Sequence, residues 1–278
     1  MLVSLRKPNR ATAAPGAAPK NAAVAAKPAA QNSTIETVKT VVYAVLIALV
    51  VRTVLIEPFN IPSRSMLPTL LVGDYLFVSK YSYGYSRYSF SLFGISIPFG
   101  LGGDFGRIVG HGPQRGDVAV FKLPRDNKTD YIKRVVGLPG DRIQMRDGIL
   151  NINGEPVKRQ PVGDYMDDRG DGQFVRYHQY METLPNGVTH RILERSDEEA
   201  LDNTGVYLVP PGHYFAMGDN RDNSLDSRVP SAVGYVPAEN FVGRAEFLFF
   251  SIDENTHWWE FWKWPAAIRF GRFFTAVD

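Results

Sequence analysis

From Val41 to Ile56 the chain reads VVYAVLIALVVRTVLI, an apolar run broken only by Arg52 and a few small or aromatic polar side chains. Extended back to Thr37, it supplies about the 20 residues a helix needs to cross a bilayer, and Pro58 stops it. Arg52 sits near one end, where a long side chain reaches the interface, so it does not veto a span. A buried core helix is the competing reading of a run this short. From Ile61 onward the period falls to two. Tyr75–Val78, Asp117–Phe121, Tyr131–Val136, Ile149–Ile152, Gly205–Val209 and Tyr214–Met217 are short runs of β-branched and aromatic residues bounded by Gly, Pro and Asp, which reads as strands. Asn153-Gly154 and Asn186-Gly187 are hairpin signals. Between Arg159 and Asn203 the chain is polar and poor in core residues, which predicts an exposed β-ribbon insertion. The glycines from Gly94 to Gly116 match no GxGxxG and read as loop. The pattern therefore predicts a mostly β fold, an antiparallel core sheet with a β-ribbon insertion, preceded by one transmembrane helix.

Composition refines this. With 278 residues, 44% hydrophobic and 22% charged, the chain is long enough to bury a real core. A net charge of +2, with no Lys/Arg cluster interleaved with aromatics, argues against a nucleic-acid partner. Cysteine is absent; that removes thiol nucleophiles and cysteine-ligated zinc without fixing the compartment. A nucleophile here has to be an oxygen or an amine. Residues 1–34 are rich in Ala, Pro and Lys and hold too little apolar surface to order, so they read as a disordered tail. Ahead of and just inside the span lie Arg6, Lys7, Arg10, Lys20, Lys27 and Lys39 against Glu36, which argues for a cytoplasmic N-terminus and an exported C-terminal portion. Ala22 to Ala26 resembles a signal-peptide cleavage site, but no apolar stretch precedes it, so an uncleaved signal anchor fits better. The divisions expected are a tail at 1–34, a signal anchor at 35–57 and an exported region at 58–278, with an insertion at about 142–206.

Candidate chemistry begins at IPSRSMLPTL, residues 61–70. Pro62 and Pro68 fix φ and bias Ile61 and Leu67 toward extended backbone, so Ser63 and Ser65 stand on stiff chain, as a nucleophile requires; loop serines capping a turn are the bland alternative. A serine needs a base. Of five histidines, only His213 lies beside an expected strand with an acid, Asp219, nearby, which leaves a Ser65/His213/Asp219 triad open. Lysine is the stronger candidate. In DYIKRVV (130–136) a period of two puts Tyr131, Lys133 and Val135 on one face, so Lys133 has apolar neighbours. An ordinary lysine is neutral in only about 0.04% of molecules at pH 7, and desolvation removes much of that handicap. The third stretch, GDNRDNSLDSR (218–228), is a dense run of turn formers, carboxylates and arginines. Read functionally, Asp226 and Arg228 brace a loop and Ser224 offers a hydroxyl to a nearby amine; read blandly, it is a solvated turn.

Taken together, PSRSMLPTL, GDYLFVSKYSYG, GDVAVFK followed by YIKRVVGLPGD, and GDNRDNSLDSR, in this order behind a membrane span, resemble the bacterial type I signal peptidases, membrane-anchored serine proteases that remove signal peptides. The likeness covers residues 41–141 and 207–250, not the tail or the insertion. It implies an endopeptidase cleaving exported preproteins after small residues (Ala-x-Ala), with Ser65 as nucleophile, Lys133 as general base and an acyl-enzyme intermediate. It further implies Ser63 in the oxyanion hole, Ser224 hydrogen-bonded to the lysine amine, and Asp219, Arg134, Asp226 and Arg228 as supporting positions. Phe59, Ile61, Met66, Leu70, Tyr131 and Ile132 correspond to the substrate pockets, while Arg64 falls in a slot that the family varies. No cofactor or metal is implied. The expected partners are signal peptides and membrane lipids, and the expected location is the bacterial inner membrane, single-pass, with the catalytic region on the periplasmic side.

Two other readings compete: a Ser/Lys autoproteolytic protein, which should carry a helical DNA-binding region where this chain has its span, and a non-catalytic membrane-tethered β scaffold. The C-terminal run HWWEFWKW (257–264) holds all four tryptophans; it suits either a bilayer interface or packing into the core.

Overall fold

The computed structural model describes residues 31–86, 88–89, 91–92, 95–96, 107–108, 110–169, 172–256 and 259–277. Residues 1–30 of the expected tail, most of the Gly94–Gly116 stretch, and His257 and Trp258 lie outside them. The chain divides into two units, 1–45 and 46–278. The helix Gln31–Val54 runs 24 residues, and its Thr34–Val54 portion has mean hydropathy 1.9 with none of its most apolar stretch buried. A core helix would be covered; this one is long and apolar enough to cross a membrane. It begins at Gln31, inside the expected tail, because polar residues extend a helix that the apolar run nucleates. It ends at Val54 rather than Ile56, since the residue before Pro58 favours extended backbone, and Ile56–Asn60 forms a strand.

Within residues 46–278 a seven-stranded sheet runs in the spatial order Ile56–Asn60, Asp74–Ser79, Phe241–Ser251, Val118–Lys122, Asp130–Gly137, His213–Met217, Val236–Pro237, and every pairing is antiparallel. Pro58 is tolerated because its strand is the sheet edge, where a missing N–H breaks no inner ladder. Period two assigns the faces. From Val118–Lys122, Val118 and Val120 enter one core cluster with Ile61, Met66, Leu70, Leu76 and Val78, while Ala119 and Phe121 enter another with Val135, Tyr214 and Phe241.

The region expected as an insertion holds two smaller sheets. One contains Arg142–Arg146, Ile149–Ile152, Glu155–Pro156 and Tyr207–Leu208; the other is a ribbon of Lys158–Asp168, Phe174–Thr183 and Thr189–Glu194. The turn at Asn153-Gly154 has φ of +58° and +92°, the left-handed pair a two-residue hairpin demands. Asp147-Gly148 makes another, with φ of +48° and +68°. The ribbon is exposed along its outer length but not at its base, contrary to expectation: Tyr177 and Leu193 pack with Leu67, Leu184 joins the cluster of the small sheet, and Glu182, His190 and Glu194 are buried. Polar residues there are core residues because they are paired, a possibility periodicity does not register. Of the tryptophans, Trp259, Trp262 and Trp264 are exposed, so they do not pack into the core.

Candidate active site

Ser65 is the middle residue of a one-turn 3₁₀ segment, Arg64–Met66, and is buried while Ser63 beside it is exposed. Asn220 holds the turn from the far side, its backbone N–H donating to Ser65 O at 3.1 Å and its side-chain amide to Arg64 O at 3.1 Å. Lys133 reaches the same point from the Asp130–Gly137 strand. Its Nζ lies 2.7 Å from Ser65 Oγ and 2.8 Å from the Ile132 carbonyl. Burial lowers the Lys133 pKa from 10.5 to about 8, against the opposing pull of the Asp226 and Asp219 carboxylates. Ser63 Oγ stands 3.3 Å from Ser65 Oγ.

A cleft of about 820 Å³ opens over this pair. Its lining comes from residues 62–65, 129–133, Arg169, 199–201 and 222–225. The strand has an unusual property here. Asp130–Lys133 pair with Val118–Lys122 on one side, but the His213–Met217 strand starts pairing only at Arg134, so among the described residues the other edge of Asp130–Lys133 is free.

The supporting charges are buried in pairs. Arg134 clasps Asp219 with Nε and Nη2, both at 2.8 Å, and Thr69 Oγ1 donates to the same carboxylate at 2.6 Å. Burial pushes the Asp219 pKa up, but Arg134 outweighs it and holds the carboxyl below its usual range. Arg228 clasps Asp226 at 2.9 Å through Nε and Nη2, and Asp226 also accepts the Gly218 N–H at 3.0 Å. A further pair had no sequence signal: fully buried Arg221 forks onto Glu182 of the ribbon. Burial alone would raise the Glu182 pKa, yet Arg221 keeps it far below its usual range. His190 Nε2 lies 3.2 Å from Glu182 and 4.0 Å from Asp219, and the Leu193 N–H donates to Asp219 O at 2.8 Å. The ribbon base and the Gly218–Arg228 loop are thus one structure.

Several sequence expectations read differently in three dimensions. Ser224 is buried on the cleft wall, but its hydroxyl makes no hydrogen bond to Lys133; the amine's near contacts are Ser65 Oγ and the Ile132 carbonyl. Tyr131 and Ile132 line the cleft, whereas Ile61, Met66 and Leu70 are buried in the cluster that Phe59 and Ile132 flank, behind the wall rather than on it. His213 Nδ1 donates to the Pro211 carbonyl, 2.9 Å away, and Asp219 is committed to Arg134, so the triad does not assemble. Gly218, which the sequence does not single out, is tightly constrained: a Cβ there would sit 2.3 Å from Ser224 Oγ and 2.5 Å from Ser65 O. A glycine directly after a strand and before a charged loop was the available signal.

A hydroxyl in contact with a buried amine of lowered pKa, at the floor of an open cleft, is the arrangement of a hydrolase that acylates a serine. Comparison with known proteins narrows the class. The family model described as "Signal peptidase, peptidase S26" matches residues 34–250. The signal peptidase I of Rickettsia typhi is 44% identical over 224 residues, 78% of this chain and 80% of its own. That of Rickettsia rickettsii is 40% identical over 249 residues, 84% of this chain and 89% of its own. A signal peptidase I crystal structure from Enterococcus faecalis is 27% identical, spans 48% of this chain and 95% of its own, and superposes with a TM-score of 0.27, too low to bear on the fold. The chain belongs to the signal peptidase family, peptidase S26, and is a serine endopeptidase.

Proposed function

We propose that the protein is a type I signal peptidase in which Ser65 is the nucleophile and Lys133 the general base. The observation that carries this is the 2.7 Å contact between Ser65 Oγ and the Nζ of a lysine whose pKa burial lowers to about 8. Neutral Lys133 takes the Ser65 proton as Oγ attacks the scissile carbonyl. The oxyanion that forms accepts hydrogen bonds from the Ser65 N–H and the Ser63 hydroxyl. The Lys133 ammonium then returns the proton to the leaving amine, which departs as the new N-terminus, and a water deprotonated by Lys133 hydrolyses the ester. Ser224 lies beside the Asp226 carboxylate, which its hydroxyl helps to keep charged, and from there the hydroxyl can turn to orient the amine once substrate tightens the site. Arg134–Asp219 and Arg228–Asp226 hold the loop that frames it.

The free edge of Asp130–Lys133 accepts an extended peptide by main-chain pairing. Alternate substrate side chains then face the wall and the intervening one faces solvent. Half-buried Tyr131 and Ile132 leave shallow room, which suits the Ala-x-Ala ends of signal peptides. The Thr34–Val54 helix anchors the enzyme in the membrane where such peptides reside, and the excess of basic over acidic residues before it supports a cytoplasmic N-terminus with residues 60–278 on the exported side. The test is cleavage of a preprotein by purified protein in detergent micelles. Wild type should release the mature chain, and Ser65→Ala and Lys133→Ala should each abolish release while His213→Ala retains most of it. Undiminished cleavage by Ser65→Ala would overturn the assignment.

A further inference from the structure

Arg64 stands between the two serines of the site and behaves unlike a surface arginine. Its side chain is 19% exposed and ion-paired to two acids from separate parts of the chain. Nε donates to Asp167 Oδ1 at 3.3 Å; Asp167 lies near the end of the first ribbon strand, Lys158–Asp168. Nη2 pairs with Glu254, which follows the last strand of the main sheet, Phe241–Ser251. Asp167 is itself buried and accepts a second charged donor, Arg169 Nε, at 2.9 Å.

The turn carrying Ser65 needs outside support. It is one 3₁₀ turn, its N-cap Ser63 makes no side-chain capping bond, and so short a segment has little cooperative stability of its own. Its backbone is fixed on one side by Asn220, through Ser65 O and Arg64 O. On the other side lies a pocket of about 200 Å³ lined by Arg64, Asp167, Asp168, Glu254 and Arg269 among others. Leu67, Leu71, Val72, Tyr165 and Met166 border the same pocket, and Leu67 packs with Tyr177 and Leu193 of the ribbon; the Arg64 guanidinium itself is held there by the two carboxylates and by the Asp168 carbonyl, 3.5 Å away.

We propose that Arg64 is a positioning residue: with Asp167 of the ribbon and Glu254 of the C-terminal segment as its clamps, it sets the orientation of the Ser65 turn against Lys133. The proposal rests on the Ser65/Lys133 reading above and adds that this side chain carries an ionic link from both the ribbon and the C-terminal segment to the turn of the nucleophile. Arg64 also borders the cleft, whereas Asp167 and Glu254 do not, so variants of the clamps separate positioning from direct substrate contact.

The experiment measures kcat, KM and the pH profile on a peptide with an Ala-x-Ala site, using the full chain in detergent micelles with wild type and Ser65→Ala alongside. Turnover by wild type and none by Ser65→Ala secures the underlying reading; its absence in wild type overturns that reading and not the role of Arg64 alone. A displacement of the nucleophile by about 1 Å is worth roughly 100-fold in rate, so Arg64→Ala should lower kcat by about 10- to 100-fold. KM should stay within about threefold, and the profile midpoint should remain where wild type has it, because Lys133 keeps its burial. Arg64→Lys should restore part of the loss. Asp167→Asn and Glu254→Gln should each lower kcat severalfold, and Arg64→Ala combined with Asp167→Asn should be no slower than Arg64→Ala alone. An unchanged kcat in Arg64→Ala overturns the proposal. So does a rise in KM alone, or a fall in kcat for Arg64→Ala with both clamp variants at wild-type rate, since either result makes Arg64 a substrate contact. If Arg64→Ala does not fold by circular dichroism, the two clamp variants decide alone.

Discussion

The Lys133 pKa makes a prediction with two independent readouts. The drop from 10.5 to about 8 corresponds to about 3 kcal/mol of discrimination against the ammonium. For catalysis this is a gain: at pH 7 about 10% of molecules hold a neutral base, against about 0.03% had the pKa stayed at 10.5, roughly a 300-fold difference. The value of kcat/KM should therefore climb about tenfold per pH unit below 8 and level off above it. For stability the sign is opposite. Between about 8 and 10.5 the unfolded chain binds more protons at this site than the folded one, so stability rises with pH across that window. Below about 8 both states are charged and the whole penalty of about 3 kcal/mol applies; above 10.5 it is gone. Lys133→Met, of similar volume and without charge, should be inactive yet unfold at a higher temperature than wild type at pH 7, by somewhat less than the full penalty, because it forgoes the contacts at Ser65 and Ile132. The advantage should shrink as pH is raised toward 10. Thermal unfolding of both proteins at pH 7 and pH 10 reads this out. A Lys133→Met variant that is less stable than wild type at pH 7, or whose difference is the same at both pH values, would refute the reasoning.

Three further outcomes follow from the same site. Gly218→Ala should fold and bind peptide but lose about 100-fold in kcat, because a Cβ 2.3 Å from Ser224 Oγ and 2.5 Å from Ser65 O forces a shift of the order of 1 Å; steady-state kinetics with near-normal rates would show the loop to be softer than drawn. Glu182→Gln removes one half of a buried, forked pair with Arg221 and should destabilise the protein by about 3–5 kcal/mol, measured by urea unfolding, whereas an effect below about 1 kcal/mol would mean water reaches the site. Peptides with Phe in place of Ala just before the scissile bond, or two positions upstream of that residue, should be cleaved far more slowly, while Phe at the position between should be tolerated; equal rates at all three would contradict strand-like binding along Asp130–Lys133.

The span and the main sheet were legible because each rests on local periodicity: a run of mean hydropathy 1.9, and alternation such as that of Val118–Lys122. The Lys133 face was legible for the same reason, since Tyr131 and Val135 share the cluster expected of them. What periodicity cannot encode is pairing between charges far apart in sequence. Glu182 and Arg221, 39 positions apart, read separately as surface residues, and so the pattern predicts a solvent-facing ribbon base. Gly218 escaped for a related reason: its constraint comes from Ser65 O and Ser224, neither of them its neighbour. The likeness implies one group of pocket residues, yet Ile61, Met66 and Leu70 belong to the core cluster while Tyr131 and Ile132 line the cleft, a distinction that no local pattern in residues 61–70 encodes.

The salt-bridged base of the ribbon also bears on how this enzyme can be cut down or recombined. A shortened version without residues 158–194 would remove outer strands that look dispensable, but it would also strip Glu182 from Arg221 and the Leu193 N–H from Asp219. Arg221 would then lose the carboxylate that neutralises it, in the same short helical turn that leads into Ser224. A graft from a relative succeeds only if it brings an acid to the same place. Trimming therefore has to stop at the solvent-facing outer part of the ribbon, and a chimera has to exchange the ribbon and the Gly218–Arg228 loop as a matched set.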